Sequence, residues 1–174
     1  MFRTLYCAES PLTSLRETLS QFRPSVAARR DFERFGRRTW PDVTLEWRRQ
    51  NVLISAEIEI SSGSLLSLGD QRLLISLEVE LVDLLLDLRI EHLTLGEIQG
   101  KNRQLTQAIA RAVFGRGAAG VLFPSKYDGG WCAGLFEGRA RLLEGSVPQS
   151  FAGMQPEFEQ VCREEYGLTT PFWF

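Results

Sequence analysis

The stretch AGVLFPSKYDGGWCAGLF, residues 119–136, determines much of how this chain folds. Residues 119–125 and 131–136 are two apolar runs, and the turn residues 128–130, Asp-Gly-Gly, separate them. Apolar runs around such a turn predict two antiparallel strands. Residues 140–143 follow closely enough to form a third strand. Three strands in a row favour a largely antiparallel sheet.

Helices and strands are interspersed upstream of this stretch. Apolar residues at helical spacing predict a helix beginning near Asn102 and another over residues 74–88, although alternation at residues 77–81 leaves a weaker strand interpretation. Residues 52–60 alternate between two faces, which predicts one half-buried strand. Residues 26–50 are basic and either helical or irregular. The order of elements predicts an α+β fold.

The two ends of the chain also have clear patterns. Residues 2–7 predict a short strand, and Ser10 followed by Pro11 predicts the N-cap and first position of a helix that Pro24 ends. The apolar residues of that helix cluster on one side, and Glu17 falls on the other side, where solvent would surround it unless another element covers that face. A last helix is predicted over residues 156–166, followed by an aromatic tail.

Composition indicates one globular domain over residues 1–174. The chain is 44% hydrophobic and 24% charged, with a net charge of −2. Residues 1–50 hold ten arginines and six acidic residues, a net charge of +4. This excess indicates a phosphate-bearing or acidic partner, or else a set of solvated surface arginines. With no signal peptide and no apolar run long enough to span a bilayer, a cytoplasmic location is expected.

Several kinds of chemistry find no support in the sequence. Cys7, Cys132 and Cys162 lack the spacing of a disulfide framework or a thiolate metal site, and His92 is the only histidine, so no metal site is expected. A G-x-G-x-x-G pattern begins at Gly115, but it follows a predicted helix and precedes a strand, the reverse of the order that dinucleotide binding requires. We interpret it as a helix end and turn.

Three segments together resemble the RES-domain family. Residues 5–17, LYCAESPLTSLRE, are similar to the family stretch in which a strand tyrosine leads into "ESP" and a helical glutamate follows eleven residues after the tyrosine. Residues 120–136 are similar to the family's strand, turn and "A-L-F" strand. Between them, residues 105–111, LTQAIAR, resemble the helix of longer RES proteins. The close resemblance covers roughly residues 3–23 and 103–143.

The family takes its name from an arginine, a glutamate and a serine. The resemblance maps the glutamate to Glu17, the serine to Ser125 and the tyrosine to Tyr6. The family arginine lies well upstream of the tyrosine, and only five residues precede Tyr6 here, so we expect a longer natural N-terminus, a truncated chain or a degraded site. Arg3 is a poor substitute because positions 3 and 6 of a strand point to opposite faces.

The resemblance implies an ADP-ribosyltransferase-like fold and a toxin-like enzyme that degrades NAD. Such an enzyme cleaves the nicotinamide–ribose bond with water or inorganic phosphate. Glu17 and Ser125 would be the catalytic residues, with Glu17 stabilising the cationic ribose. Tyr6, Ser125 and Lys126 would bind substrate, and no general base for a nucleophilic serine is evident.

The resemblance also implies partners. NAD would be a substrate, and no cofactor is implied. An Xre-type antitoxin protein would neutralise the toxin, so any link to nucleic acid would be indirect, through that antitoxin. Assembly into a homo-oligomer also stays open. No membrane partner is expected. Arg3, Arg29 and Arg30 are candidates for the phosphate-binding role of the family arginine.

Two other functions stay open at this point. A RES-like fold that has lost its arginine would be a non-catalytic module that binds a nucleotide or a partner. A toxin that binds or cleaves RNA is the other alternative, and the arginine-rich first third is the only feature that supports it. NAD degradation by a chain of reduced activity is the function that the motifs favour.

Overall fold

A computed structural model describes residues 2–35, 42–143, 145, 147–153 and 155–168 of the chain. The chain forms two compact units. The first comprises Met1–Glu9 and Glu57–Leu143, and the second comprises Ser10–Ala56 and Glu144–Phe174. The predicted aromatic tail at residues 171–174 lies outside the described residues.

The first unit is built on a four-stranded sheet of β1 (Thr4–Ala8), β4 (Leu65–Ser67), β5 (Gly120–Pro124) and β6 (Trp131–Phe136). The strand order is β1-β6-β5-β4. Neighbouring strands are antiparallel except β4 and β5, which are parallel. The predicted hairpin is confirmed, and its strands are the two central ones of the sheet.

A separate two-stranded sheet in this unit joins β3 (Ile58–Ile60) to β7 (Ala140–Leu142). The third strand of the predicted run therefore exists, but it pairs with β3. The second unit contains the short β2 (Val52–Leu53), which pairs with β8 (Gln149–Ser150). The single strand predicted over residues 52–60 is thus wrong: it is two short strands, one in each unit.

The burial predicted for residues 52–60 also differs. Val52, Ile54, Ile58 and Ile60 share the parity of a buried face, yet each is between 38% and 51% exposed. A period of two shows which side chains share a face, but what covers that face depends on the strand's partners and not on its own sequence.

The helices of the first unit lie between β4 and β5 in the chain. They are α4 (Gln71–Glu80), α5 (Val82–Asp87), α6 (Leu95–Ile98) and α7 (Arg103–Gly115). The predicted start near Asn102 is confirmed, because its side chain accepts a hydrogen bond from the Leu105 backbone and caps α7. The helix predicted over residues 74–88 is interrupted at Leu81, where φ is −107° and ψ is 19°.

The core of the first unit lies between α7 and one sheet face. Leu105, Ile109 and Val113 of α7 are buried with Val121 and Phe136 of the sheet. At the end of the sheet face the Phe2 ring stacks on the Phe114 ring, with 4.2 Å between the ring centres. It meets the Phe136 ring edge-on, with 4.9 Å between the ring centres.

The glycines at 115, 117 and 120 connect α7 to β5, as predicted for a helix end and turn. Gly117 adopts a φ of +86°, which glycine tolerates and other residues rarely do. Gly120 begins β5, where a Cβ would lie only 2.4 Å from the carbonyl oxygen of Gly134. The spacing therefore reflects backbone geometry and close strand packing.

The second unit is mainly helical. Its buried residues include Leu15, Leu19, Phe158 and Cys162, and the partly buried Trp47 packs against them. The last predicted helix begins at Pro156 as expected but becomes a π-helix at Gln160. The helices are α1 (Pro11–Leu19), a 3₁₀ turn (Ser20–Phe22), α2 (Val26–Phe35), α3 (Leu45–Gln50), α8 (Pro156–Glu159) and the π-helix (Gln160–Glu165).

Candidate functional site

Tyr6 lies in β1, an edge strand of the four-stranded sheet, and 72% of its surface is exposed. Its register partner is Gly134 of β6, which in turn pairs with Val121 of β5. A Cβ on Gly134 would lie 3.3 Å from Val121 Cγ2 and 3.4 Å from both Tyr6 Cε1 and Thr4 Cγ2. Because Gly134 has no Cβ, the side chains of Thr4, Tyr6 and Val121 approach this position more closely than a residue with a side chain would allow.

A cavity of about 130 Å³ opens beside this ring. Its walls come from β1, β5 and β6 of the sheet, from the region of α6 and from α7, all in the first unit. Most of the lining is apolar. The lining residues are Thr4, Tyr6, Leu68, Ile98, Gln99, Thr106, Ile109, Ala110, Val121, Phe123 and Phe136.

Three polar side chains, Thr4, Gln99 and Thr106, accompany the apolar walls. The Gln99 amide donates to the carbonyl oxygen of Pro124 at the end of β5. The Thr106 hydroxyl donates to the Arg103 carbonyl at 3.1 Å. Sequence reasoning missed all three as site residues. Thr106 belongs to the quoted LTQAIAR segment and could have been singled out, whereas Gln99 follows a short helix without any motif.

Ser125 follows the last residue of β5 and is only 4% exposed. Its backbone N–H donates to the Gly130 carbonyl at 2.7 Å, and its own carbonyl accepts from the Gly129 N–H at 2.9 Å. Its hydroxyl oxygen accepts from the Tyr127 N–H at 3.2 Å. Ser125 therefore organises the loop between β5 and β6, a role that its position in the motif did not reveal.

The same loop holds Lys126, which is exposed, with its Nζ 5.1 Å from the centre of the Tyr127 ring. Glu9, from the "ESP" motif, extends the pairing of β1 with β6: its backbone N–H donates to the Trp131 carbonyl, and its carboxylate accepts from the Trp131 N–H at 2.8 Å. The two motifs thus meet at one end of the sheet.

Tyr6 and Ser125 lie on neighbouring parts of this sheet but not side by side. Across the sheet, Tyr6 of β1 lies in the same row as Val121 of β5, and β6 lies between them, so the two are two strand spacings apart. Val121 lies four residues before Ser125 along the chain. These offsets correspond to roughly 13 Å along the strand and about 10 Å across the sheet. A small group cannot contact both residues, whereas an extended molecule can.

Glu17 lies on α1 in the second unit. Leu15 and Leu19 on either side of it are buried, and Glu17 is half-buried, so its outward face is partly covered. The Arg16 guanidinium binds both carboxylate oxygens of Glu165 at 2.6 and 2.7 Å, which ties this turn of α1 to the π-helix. Bidentate pairs of this kind fix the relative orientation of the two side chains in addition to pairing their opposite charges.

The three candidate phosphate-binding arginines are distributed over both units. Arg3 is exposed in the first unit; in the second, Arg29 is half-buried and Arg30 is exposed, with Asp31 3.4 Å from its guanidinium. Arg48 of α3, which no sequence pattern singled out, has no exposed surface at all. Arg48 and Arg49 are adjacent in the last turn of α3, and the sequence does not indicate which of the two is buried.

Cys7 and Cys162 are in environments that disfavour the thiolate. Burial raises the pKa of Cys162 to about 12, although the nearby charges of Arg48 and Arg163 act in the opposite direction. Burial also raises the pKa of Cys7, against the smaller effect of its contact with the Ala133 carbonyl. Neither thiol is prepared to act as a nucleophile at neutral pH.

Within the described part of the chain, no group of three or more His, Cys, Asp or Glu residues could hold a metal ion. Across the same residues, every helix is too short or too polar to cross a bilayer.

The family model of the RES domain matches residues 1–159 of the 174. This match covers most of both units, including Tyr6, Glu17 and Ser125. No curated protein and no solved structure matches the chain.

Proposed function

Because the chain belongs to the RES-domain family, we propose that it is an NAD-degrading enzyme of the toxin type with an ADP-ribosyltransferase-like fold. In the proposed reaction, an oxygen of water or inorganic phosphate forms a bond to the ribose carbon that carries nicotinamide. The bond from that carbon to the ring nitrogen breaks, and its electron pair leaves with neutral nicotinamide. With water, the proton lost from the nucleophile passes to solvent.

The cavity beside Tyr6 is the observation that carries this proposal. Its volume of about 130 Å³ is close to the roughly 150 Å³ of an engineered apolar cavity that binds benzene. One six-membered ring therefore fits, with the exposed face of Tyr6 available for stacking. The amide of Gln99 and the hydroxyls of Thr4 and Thr106 supply polar atoms that a carboxamide on the ring can meet.

The separation of Tyr6 and Ser125 supports a long substrate. A dinucleotide with one ring at Tyr6 would extend along the sheet toward the loop of residues 125–130. There the exposed ammonium group of Lys126 would attract phosphate, while Ser125 would hold the loop and its backbone N–H groups in place. We therefore propose that Ser125 contributes chiefly as a positioning residue, with direct contact to substrate hydroxyls as the sequence-based alternative.

Glu17 is proposed to stabilise the positive charge that develops on the ribose as nicotinamide departs. A carboxylate held in a partly covered site stabilises such a charge more than one in open water, because solvent screens it less. The Arg16–Glu165 pair would keep the Glu17 turn of α1 in position. Arg3, Arg29 and Arg30 are the proposed sources of a phosphate contact.

The test is incubation of the purified chain with NAD, with and without inorganic phosphate, followed by identification of the products. We expect nicotinamide in both cases, with ADP-ribose formed in water and its 1″-phosphate formed when phosphate attacks. Alanine substitutions at Arg3, Arg29 and Arg30, one at a time, then find the arginine that binds phosphate.

A variant at Tyr6 separates an effect on catalysis from an effect on folding. Tyr6→Ala removes the ring from an already exposed position, so the melting temperature should change little while nicotinamide release falls. For the unchanged chain, binding of NAD without nicotinamide release would favour the non-catalytic module instead. If the unchanged chain is shown to be folded and neither binds NAD nor releases nicotinamide, the proposed function is refuted.

A further inference from the structure

Two polar side chains in the wall of the Tyr6 cavity donate hydrogen bonds within the protein. The –NH2 group of Gln99 donates to the carbonyl oxygen of Pro124 at the end of β5. The hydroxyl group of Thr106 donates to the carbonyl oxygen of Arg103, with 3.1 Å between the two oxygens. These two bonds determine which atoms of Gln99 and Thr106 are left for a ligand.

The bond to Pro124 fixes the orientation of the Gln99 amide. A backbone carbonyl oxygen only accepts hydrogen bonds, so the –NH2 end must face Pro124 and the oxygen Oε1 must lie at the opposite end. Among the described residues, no group donates a hydrogen bond to Oε1. Gln99 therefore offers a ligand one acceptor, Oε1, beside the second hydrogen of its –NH2 group. A ligand group that uses both must itself donate and accept.

Thr106 adds a second acceptor to the cavity wall. Its single hydroxyl hydrogen is directed at Arg103, so its oxygen has only lone pairs left for a ligand. The two acceptors come from separate elements, since Thr106 lies on α7 and Gln99 directly follows α6. A ligand group with N–H hydrogens satisfies these oxygens, whereas a group that has only oxygens does not.

The rest of the cavity wall has no charge that would offset an anion. Of the described residues that line the cavity, none is Lys, Arg, His, Asp or Glu. An ionised carboxylate that leaves water for such a wall loses hydration that no cation replaces. It also brings its negative oxygens toward Oε1 of Gln99. A neutral primary carboxamide has neither disadvantage.

We infer that the Tyr6 cavity selects an aromatic ring with a neutral primary carboxamide and that Gln99 is the residue that determines this specificity. The carboxamide N–H donates to Oε1, and its carbonyl oxygen accepts from the Gln99 –NH2 group or from the Thr4 hydroxyl. A ring with a carboxylate or a ketone at the same position is rejected. In the proposed reaction, on which this specificity rests, NAD is then cleaved in preference to the deamidated dinucleotide, which carries nicotinate in place of nicotinamide.

Three free rings of similar size are the probes: nicotinamide, nicotinate, and the acetylpyridine with its ketone at the same ring position. Each is titrated with the full chain at neutral pH and followed by ligand-observed NMR. Acetylpyridine keeps the ring and the carbonyl group but has no N–H, so it isolates the contribution of the acceptors from that of charge. We expect acetylpyridine to bind about fivefold more weakly than nicotinamide, the effect of one lost hydrogen bond. Nicotinate should bind at least about tenfold more weakly.

Two variants then assign the selectivity to Gln99. Gln99→Met keeps the length of the side chain and removes the amide, so nicotinamide and acetylpyridine should bind with affinities within about twofold of each other. Gln107→Met makes the same change at an exposed position of α7 that does not line the cavity, and it should keep the selectivity. Because loss of the Pro124 contact can lower stability, Tm is measured for each variant. The ratio of the two affinities is the readout, since a smaller folded fraction weakens both equally.

The ligand series on the unchanged chain tests the specificity without any variant. Equal affinity for nicotinamide and acetylpyridine, nicotinate binding as tight as that of nicotinamide, or no nicotinamide binding to the folded chain would overturn it. Unchanged selectivity in folded Gln99→Met would overturn the role of Gln99.

Failure of the proposed function has a different result. A chain that binds nicotinamide selectively but releases none from NAD would refute NAD cleavage and keep the specificity of the cavity. Equal kcat/KM for NAD and for the deamidated dinucleotide would overturn the specificity and keep NAD cleavage.

Discussion

Substitution of Gly134 by alanine tests the link between the Tyr6 cavity and function most directly. Gly134 lies in β6 between Tyr6 of β1 and Val121 of β5. The new methyl group would lie 3.3 to 3.4 Å from three side-chain carbons, of Val121, Thr4 and Tyr6. All three are side-chain atoms that face a cavity, so they can move by the few tenths of an ångström that are required.

The expected change in stability is small. Adding a methylene to a tightly packed core costs roughly 1–3 kcal/mol, and the adjoining cavity places this case at the low end. Replacing glycine in a strand regains about 0.5–1 kcal/mol of backbone entropy. The net free energy of unfolding should therefore fall by about 1 kcal/mol or less, which lowers Tm by about 2–4 °C in a chain of this size.

The expected change in activity is larger, because the methyl group displaces the Tyr6 ring and narrows the space for a bound ring. A loss of about 1–2 kcal/mol in ring binding lowers kcat/KM for NAD by roughly 5- to 30-fold. Nicotinamide release measured by chromatography, together with thermal unfolding of the same samples, gives both quantities.

Two other glycines provide matched controls. At Gly115, the end of α7, a Cβ would meet nothing within 4 Å, so Gly115→Ala should keep full activity and unchanged or higher stability. At Gly120 a Cβ would lie 2.4 Å from the Gly134 carbonyl oxygen, and backbone cannot yield as a side chain does, so Gly120→Ala should lower Tm far more. Unchanged kcat/KM in a folded Gly134→Ala protein would show that the cavity does not bind substrate.

Three further predictions concern single residues. Glu17→Gln should cost about 3 kcal/mol of transition-state stabilisation, roughly a hundredfold in rate, with little change in Tm; an unchanged rate would make Glu17 a structural surface residue. Ser125→Ala removes the acceptor of the Tyr127 N–H, so activity should fall and stability should drop by about 1 kcal/mol, whereas a covalent adduct trapped on Ser125 would establish a nucleophile. Because burial raises the pKa of Cys162 to about 12, its stabilising effect should be complete below pH 9 and lost as pH rises toward 12. Tm of the unchanged chain should therefore fall more steeply between pH 9 and 11 than that of Cys162→Ala, and rapid alkylation of native Cys162 at pH 7 would contradict this.

Local patterns predicted the elements that depend on neighbouring residues. Asn102 caps α7, Ser10 caps α1, and the Asp-Gly-Gly turn joins β5 to β6, because capping and turn geometry involve only a few consecutive residues. The same patterns failed where a contact with a distant segment decides. Residues 52–60 have strand periodicity, but β8 and β7 pair with different parts of them.

The sequence by itself determined the α+β class and the RES family, since both follow from local periodicity and short motifs. The functional roles of Tyr6, Glu17 and Ser125 stay predictions from the same motifs. Only the tertiary structure decided that Thr4, Tyr6 and Val121 crowd around Gly134, that Gln99 and Thr106 line the cavity beside Tyr6, and that Ser125 is buried in a loop. The physical reason is that a cavity is enclosed by strands and helices far apart in the chain. Their side chains meet only after the order and register of the strands are set, and no local pattern encodes those two quantities.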